Sequence, residues 1–221
     1  HGGRPRALAG LGAGWGGDGV AFGASWRTPL AVVAVPADPL ERQAASGITP
    51  LLAWSGRVAP ERELGWYRGV LASTLQRALA GRAPLAHLQT ERGEIVIELF
   101  GVDAPLTVDN FMSLARSGFY RDTRFHRVVP NFVAQDGDPR GDGNGSPGWS
   151  IRDELNRHRY LRGAVGMALS GPDTGGSQYF LTLSTQPHLD GHYTVFGRVV
   201  RGWDAMDALV QGDRIARVDV R

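Results

Sequence analysis

Residues 125–138 read Phe-His-Arg-Val-Val-Pro-Asn-Phe-Val-Ala-Gln-Asp-Gly-Asp, and the alternation of apolar and polar residues predicts strand structure. Pro130-Asn131 interrupts the pattern, and a second short apolar run follows. If Arg127 and Gln135 leave the sheet on one face with Phe132 between them, they form an apolar floor beside one fixed cation and one neutral amide. Such a surface suits an uncharged, partly apolar, hydrogen-bonding substrate such as a peptide. The stretch contains no obvious nucleophile or general base.

Two later stretches of the sequence are candidate partners of residues 125–138. Residues 166–180 read Gly-Met-Ala-Leu-Ser-Gly-Pro-Asp-Thr-Gly-Gly-Ser-Gln-Tyr-Phe, and residues 187–197 read Pro-His-Leu-Asp-Gly-His-Tyr-Thr-Val-Phe-Gly. In this order, the three stretches resemble the cyclophilin family of peptidyl-prolyl cis/trans isomerases, and its bacterial members in particular. The resemblance runs from about His87 to Arg221, and three long motifs in the right order argue against a chance match.

The order of predicted elements after His87 fits a mainly β fold. Eight strands are predicted near residues 87–90, 94–100, 123–129, 132–136, 163–169, 178–184, 193–200 and 213–220, with helices near 105–117 and 203–211. These elements suit a closed eight-stranded antiparallel β-barrel capped by two helices, which leaves no open sheet edge. The resemblance implies the same cyclophilin-like architecture for residues 86–221.

The family resemblance implies an enzyme that accelerates rotation about the peptide bond preceding proline in folding or flexible proteins. Twisting that bond breaks the C–N resonance and leaves a lone pair on the prolyl nitrogen. A fixed donor aimed there binds the twisted state better than either planar state. The resemblance places Arg127 at the catalytic arginine, needs no cofactor, and makes proline-containing peptides and flexible proteins the partners. The alternative is a proline-peptide binding module or chaperone accessory with incidental turnover.

The resemblance also implies a set of substrate-binding residues at the matching positions of the three motifs. They are Phe132, Val133, Gln135, Ala168, Leu169, Gln178, Phe180, His188, Leu189 and Tyr193. The main chain at residues 168–169 would pair with the peptide, and Gln178 would lie along a neighbouring groove. His188 stands where eukaryotic members often carry a tryptophan that matters for cyclosporin binding, so we expect cyclosporin binding to be doubtful.

Several residues in the motifs also have simpler interpretations. Arg127 alone would fit a strand arginine in a surface ion pair, and His126 would fit a structural histidine with satisfied hydrogen bonds. His188 and His192 have a spacing that resembles metal ligands, but a turn signal lies between them, and we expect no metal there. Ser177 does not lie in a nucleophile-elbow pattern, which argues against a serine hydrolase.

Composition and charge argue against several other classes of function. The chain has 221 residues and a net charge of +2, and all 24 of its basic residues are arginine. They are scattered along the sequence, which argues against nucleic-acid binding. The chain contains no cysteine, and no run approaches the ~20 apolar residues of a membrane span. It begins at His1 without a signal-peptide pattern, and we expect a soluble protein, with an extracytoplasmic location slightly favoured over a cytoplasmic one.

Residues 1–85 are predicted to form an extension of unassigned function, glycine-rich at first and then helical. A helix predicted over residues 61–81 carries an apolar stripe that we expect to pack on the barrel or on upstream helices. The extension would also be able to fold back over the substrate groove and inhibit it, because four of its residues present Xaa-Pro bonds: Pro29, Pro36, Pro39 and Pro50.

Overall fold

The computed structural model describes residues 64–221, and Tyr67–Arg221 forms one compact unit. The elements in chain order are α1 (Leu64–Leu79), β1 (Leu85–Thr90), β2 (Gly93–Leu99), α2 (Pro105–Arg116), β3 (Arg127–Val129), β4 (Val133–Asp136), β5 (Ala164–Met167), β6 (Tyr179–Thr182), a 3-10 turn (Pro187–Leu189), β7 (Val195–Arg201), α3 (Trp203–Asp207) and β8 (Ile215–Val220). The expectations for residues 1–63 lie outside this described part. No helix within residues 64–221 is long and apolar enough to cross a bilayer.

All eight strands belong to one antiparallel sheet in the order β3-β4-β6-β5-β7-β2-β1-β8. The sheet curls into a half-barrel. A short seam joins its two ends, where Arg124 and Arg214 form an isolated bridge and the Phe125 N–H donates to the Asp213 carbonyl oxygen. The predicted mainly β fold of eight antiparallel strands is therefore confirmed. Residues 124–125 of the seam precede β3, and residues 213–214 precede β8. The seam therefore joins the two ends of the sheet without a ladder of hydrogen bonds between β3 and β8 themselves.

Helix α2 covers the interior of the curled sheet. Pro105 occupies its first turn, where a missing N–H is tolerated. The Glu154 carboxylate accepts hydrogen bonds from the free Leu106 and Thr107 N–H groups of that turn at 2.9 and 2.8 Å. The apolar face that the sequence predicts to point inward is buried, and it packs on strand residues from all around the sheet; it comprises Val108, Phe111, Met112 and Leu114.

Helix α1 begins and ends close to the predicted bounds, but a different face of it is buried. Leu71, Leu75 and Leu79 are 57%, 60% and 80% exposed, whereas Val70 and Thr74 are buried. These three leucines therefore do not pack on the barrel, and packing of the stripe on upstream helices stays a prediction, because residues 1–63 lie outside the described part. Spacing shows which residues share a helix face, but two faces of α1 carry apolar residues, and spacing does not show which one is buried.

Helix α3 is shorter than the predicted 203–211 segment and ends at Asp207. The Val210 N–H donates to the Asp213 carboxylate at 2.8 Å instead of continuing the helical pattern. The same carboxylate accepts hydrogen bonds from the Arg92 guanidinium at 2.8 and 2.9 Å, and this ion pair holds the pKa of Asp213 below its usual range. The Asp213 side chain therefore accepts a main-chain hydrogen bond from the segment after Asp207, which was expected to form the last helical turn.

Candidate active site

The register of the sheet places three of the predicted site residues in one row. Arg127 on β3 lies opposite Gln135 on β4, and Gln135 lies opposite Phe180 on β6. Gly166 on β5 is the next residue of the row. Because directly paired residues project from the same face of a sheet, the cation, the amide and the aromatic ring emerge side by side.

An apolar cluster separate from the main core forms the floor next to this row. Its buried members are Val133, Tyr160, Ala164, Phe180, Leu189 and Val195, and Phe100, Phe132, Ala168 and Tyr193 pack against them. The Phe180 ring lies over Tyr160 at 5.5 Å between centroids and meets Tyr193 edge-on at 6.0 Å. His188 stacks on Phe132 at 5.7 Å. The cluster therefore presents an aromatic surface to one side of the sheet.

Arg127 is exposed at the edge of this floor and carries an unneutralised charge. Its Nη1 lies 3.4 Å from Gln135 Oε1, and its guanidinium carbon lies 5.3 Å from the centre of the Phe132 ring. Within the described residues it forms no ion pair, unlike Arg198 on β7, whose Nε donates to Glu98 at 2.6 Å. The interpretation of Arg127 as a strand arginine in a surface ion pair therefore finds no partner in this part of the chain.

Two glutamine amides extend from Arg127 toward a glycine-rich loop. Gln135 Nε2 donates to Gln178 Oε1 at 2.9 Å, and Gln178 Nε2 donates to the carbonyl oxygens of Gly143 and Gly145 at 3.0 and 2.9 Å. Because an arginine can only donate, the Gln135 oxygen faces Arg127 and its NH₂ group faces Gln178. The direction of each hydrogen bond is thus fixed along the row.

The glycine-rich loop is itself held by a buried carboxylate. Asp138 accepts hydrogen bonds from the Arg140 and Asp142 N–H groups at 2.7 and 2.9 Å, and also from the Gly143 N–H. Burial would raise the pKa of Asp138, but these backbone donors outweigh it and hold the pKa below its usual range. The loop that receives Gln178 is therefore anchored to the end of β4.

A polar groove of ≈ 330 Å³ adjoins the aromatic floor. It is lined by Gln135 and Gln178, by residues 143–146 and by residues 168–170. The Ala168 N–H already donates to the Gln178 carbonyl oxygen at 3.0 Å, so main-chain pairing with a peptide at Ala168 has to use its carbonyl oxygen. The Leu169 side chain packs against the main core and not against the aromatic floor.

The structure thus brings most of the predicted residues together. Phe132, Val133, Phe180, Leu189, Tyr193 and Ala168 belong to the floor or pack on it, and His188 adjoins it through Phe132. Gln135, Gln178 and the Leu169 region line the groove. Only the Leu169 side chain points elsewhere. Among residues 64–221, no three His, Asp or Glu side chains lie close enough together to hold a metal ion.

His126, next to Arg127, departs from the expectation of a satisfied histidine. Both of its ring nitrogens are buried and make no hydrogen bond of normal geometry within residues 64–221. Burial lowers the pKa of His126, which favours the neutral ring near neutral pH and argues against an imidazolium beside the site.

The sequence interpretation did not name four members of the floor, Phe100, Tyr160, Ala164 and Val195, nor Gly166 beside it. Tyr160 is fully buried beneath Phe180, its hydroxyl has no hydrogen-bond partner among the described residues, and burial raises its pKa. A Cβ on Gly166 would overlap both the Phe180 ring and the Tyr160 hydroxyl. A glycine inside a strand is a signal for such close approach, whereas nothing in the sequence around Tyr160 indicates its partner.

Comparisons with known proteins show which family the chain resembles. Residues 85–220 match the family described as "Cyclophilin type peptidyl-prolyl cis-trans isomerase/CLD". A peptidyl-prolyl cis-trans isomerase of Helicobacter pylori is 47% identical over 137 residues, covering 60% of this chain and 84% of that protein. Peptidyl-prolyl cis-trans isomerase B of Bacillus subtilis is 45% identical, covering 60% of this chain and 94% of that protein.

A solved structure gives the same result for the fold. The crystal structure of a Cryptosporidium parvum cyclophilin type peptidyl-prolyl cis-trans isomerase, determined in the presence of the dipeptide Ala-Pro, has a TM-score of 0.59 and 30% identity. It covers 62% of this chain and 98% of that one. The enzyme class predicted from the three motifs is confirmed, and the chain belongs to the cyclophilin-type peptidyl-prolyl cis-trans isomerase family.

Proposed function

We propose that this chain accelerates rotation about Xaa-Pro peptide bonds, and that Arg127 does so by donating a hydrogen bond to the prolyl nitrogen of the twisted bond. The observation that carries the proposal is an exposed arginine without a carboxylate partner at the rim of an aromatic floor. The substrates are exposed Xaa-Pro segments of folding or flexible proteins, and the relative determined with Ala-Pro supports a proline-containing peptide.

The chemistry needs no nucleophile, because no covalent bond is made or broken. The barrier to rotation is about 18–20 kcal/mol and arises from C–N resonance. As the bond twists, the nitrogen loses conjugation and becomes a hydrogen-bond acceptor, which it is not in either planar state. A donor at that position stabilises only the twisted state and therefore lowers the barrier.

Arg127 meets the requirements for such a donor. An arginine guanidinium carries a permanent positive charge and presents several N–H groups in one plane. Gln135 Oε1 and the Phe132 ring lie within reach of the guanidinium and restrict its position. Because no described acid neutralises it, its N–H groups stay available to a substrate.

The floor and the groove divide the recognition of the peptide between them. The proline ring packs on Phe180 with Phe132, Val133 and Leu189 around it, and the Tyr193 ring closes one side. The preceding residues of the peptide run along the groove that Gln178 lines. The Ala168 carbonyl oxygen is the main-chain acceptor that remains for pairing with the peptide.

A protease-coupled assay on an Ala-Xaa-Pro-Phe peptide tests the proposal. Arg127→Ala should lower kcat/KM by at least about tenfold, which is about 1.4 kcal/mol of transition-state stabilisation. Arg198→Ala is the matched control, because it removes a strand arginine that is paired with Glu98 outside the site, and it should leave kcat/KM unchanged. Unchanged turnover in Arg127→Ala would refute the role of Arg127. Peptide binding by the parent chain without turnover would favour the alternative of a binding module.

A further inference from the structure

An open cleft runs along the outer edge of β8, on the side away from β1. The seam residues 122–125 lie beside residues 212–215, and the Asp122 N–H still donates to the Ile215 carbonyl oxygen. Residues 115–121, at the end of α2 and after it, lie across a gap from residues 217–221. The gap is a cleft of ≈ 560 Å³, lined by Ala115, Arg116, Gly118, Tyr120, Arg121 and by Arg217–Arg221.

The register identifies which main-chain groups of β8 face the cleft. Leu85 and Arg221 exchange two main-chain hydrogen bonds at 3.0 Å each, and the antiparallel pairing with β1 continues in step as far as Gln89 and Arg217. Hydrogen-bonded and non-bonded pairs alternate in such a ladder. Val218 and Val220 therefore direct their N–H and C=O groups away from β1, and no strand within residues 64–221 pairs with that edge.

The cleft is also strongly basic. Arg116, Arg121 and Arg221 are exposed and form no ion pair with the described residues. Arg217 donates to Asp219 at 2.7 Å, and Asp219 is the one acidic side chain among the residues that line the cleft. Four guanidinium groups against one side-chain carboxylate leave an excess of positive side-chain charge along the unpaired edge.

We propose that this edge is a docking site at which an extended, acidic segment of a partner protein adds a strand to β8. Strand addition needs alternating donors and acceptors, which a peptide backbone supplies. A nucleic acid offers phosphate acceptors but no donors in that alternation, and a second copy of this chain would bring two arginine clusters together. Glutamate or aspartate side chains on the added strand pair with Arg116 and Arg121.

The test uses the full chain and a fluorescein-labelled Glu-Val-Glu-Val-Glu-Val peptide, followed by fluorescence anisotropy. The peptide lacks proline, so the isomerase site does not recognise it. Arg116→Glu/Arg121→Glu should weaken binding at least about tenfold and leave isomerase turnover unchanged. Arg157→Glu/Arg159→Glu makes the same change of charge at two exposed arginines outside the cleft, and it should bind like the parent.

A second arm changes only the backbone of the probe. One peptide carries N-methyl groups on the three valines and another carries them on the three glutamates. An added strand turns only one of these two sets of N–H groups toward β8, so one peptide should lose binding and the other should retain it.

Four results would overturn the proposal. They are no binding of the parent peptide, equal binding by the Arg116→Glu/Arg121→Glu variant, equal behaviour of the two N-methylated peptides, and equally strong competition by an oligo-dT of the same charge. Equal behaviour of the two N-methylated peptides would show that the arginines simply attract anions and protect an edge strand. Equally strong competition by oligo-dT would indicate a site for polyanions in general.

Discussion

At the residue scale, the site depends on a cation that has polar and aromatic neighbours but no acidic one. Gln135 holds Arg127 through a neutral oxygen at 3.4 Å, so the guanidinium is positioned without being neutralised. A carboxylate at the same place would hold the guanidinium more tightly and compete with the prolyl nitrogen for its N–H groups. The neutral amide is therefore as important to the account as the arginine.

Gln135→Glu tests this directly. At pH 7 the new carboxylate pairs with Arg127, and kcat/KM should fall by about tenfold or more. Arg127 lowers the pKa of the new carboxyl, so the activity should recover only when the pH falls below the usual glutamate range of about 4. The measurement is kcat/KM against pH for the parent and the variant by NMR line shape, which needs no protease. Parent-like activity at pH 7 would contradict the account.

Asp136 on β4 lies inside the barrel, where its ionised form is unfavourable. Burial raises the pKa of Asp136 to about 6, although hydrogen bonds from the Gly137 backbone, Thr123 and Tyr179 oppose the shift. A carboxyl whose pKa is raised in the folded protein contributes most to the free energy of unfolding at a pH where it is protonated in both the folded and the unfolded protein. That contribution is lost as the pH rises from about 4 to about 6, and it stays lost above that.

Asp136→Asn should remove this pH dependence. At pH 7 the variant should be more stable than the parent by up to roughly 3 kcal/mol, because two pKa units correspond to about that free energy. The advantage should shrink to a small remainder at pH 4, where Asp136 is protonated in the folded protein and about half protonated in the unfolded protein. Urea unfolding at pH 4, 5, 6 and 7 measures it. A difference that does not change with pH would show that Asp136 keeps an ordinary pKa.

At the scale of elements, the aromatic floor depends on a strand glycine and a buried tyrosine. Gly166 on β5 leaves space for the Phe180 ring and the Tyr160 hydroxyl. Tyr160 comes from the irregular segment before β5, and its N–H donates to the Asp190 carboxylate at 2.7 Å, next to the turn that carries His188 and Leu189. One segment thus supports both the floor and the turn beside it.

Gly166→Ala should displace Phe180 and raise KM for a proline peptide more than it lowers kcat, because the floor binds the ring in all states of the bond. A destabilisation of about 1–3 kcal/mol is expected from overpacking. Gly69→Ala is the matched control, since a Cβ at that helical position meets nothing within 4 Å. The control should be neutral or slightly stabilising. Equal KM values for parent and Gly166→Ala would mean that Phe180 has room to move without loss of the pocket.

Elements with strong local patterns could be predicted, and contacts between distant segments could not. The eight strands and α2 follow from alternation and helical spacing, and Arg127, Gln135 and Phe180 come together because their strands pair in register. Tyr160 lies in a segment without periodicity, so nothing local indicated that it would lie beneath Phe180. The face of α1 that is buried and the early end of α3 were likewise decided by tertiary contacts.

At the scale of the whole molecule, the compact unit begins before the residues that match the family. It starts at Tyr67, within α1, and residues from 74–84 and from 99–103 together line a cavity of ≈ 240 Å³. Val70 and Thr74 of α1 are buried. The predicted domain boundary between residues 85 and 86 stays a prediction. A chain cut at that boundary would lose both Leu85–Arg221 hydrogen bonds at the end of β1.

Two truncated chains test where the isomerase unit begins. A chain of residues 64–221 should have the kcat/KM of the full chain on a short peptide, because every site residue lies within it. A chain of residues 86–221 should be less stable by about 1–3 kcal/mol, since it lacks α1 and three main-chain hydrogen bonds, two between Leu85 and Arg221 and one from the Leu99 N–H to the Pro84 carbonyl oxygen. Urea midpoints and turnover measure both. Higher turnover of either truncated chain than of the full chain would instead support inhibition by the N-terminal residues.

The most direct test of the central claim separates binding from rotation. Two-dimensional NMR exchange spectroscopy on an Ala-Pro-containing peptide gives the cis–trans exchange rate on the enzyme, and chemical-shift titration gives Kd. Arg127→Ala should slow exchange at saturation by at least about tenfold while Kd changes by less than about threefold. An exchange rate at saturation equal to that of the parent would contradict the central claim, because Arg127 would then contribute nothing specific to the twisted state.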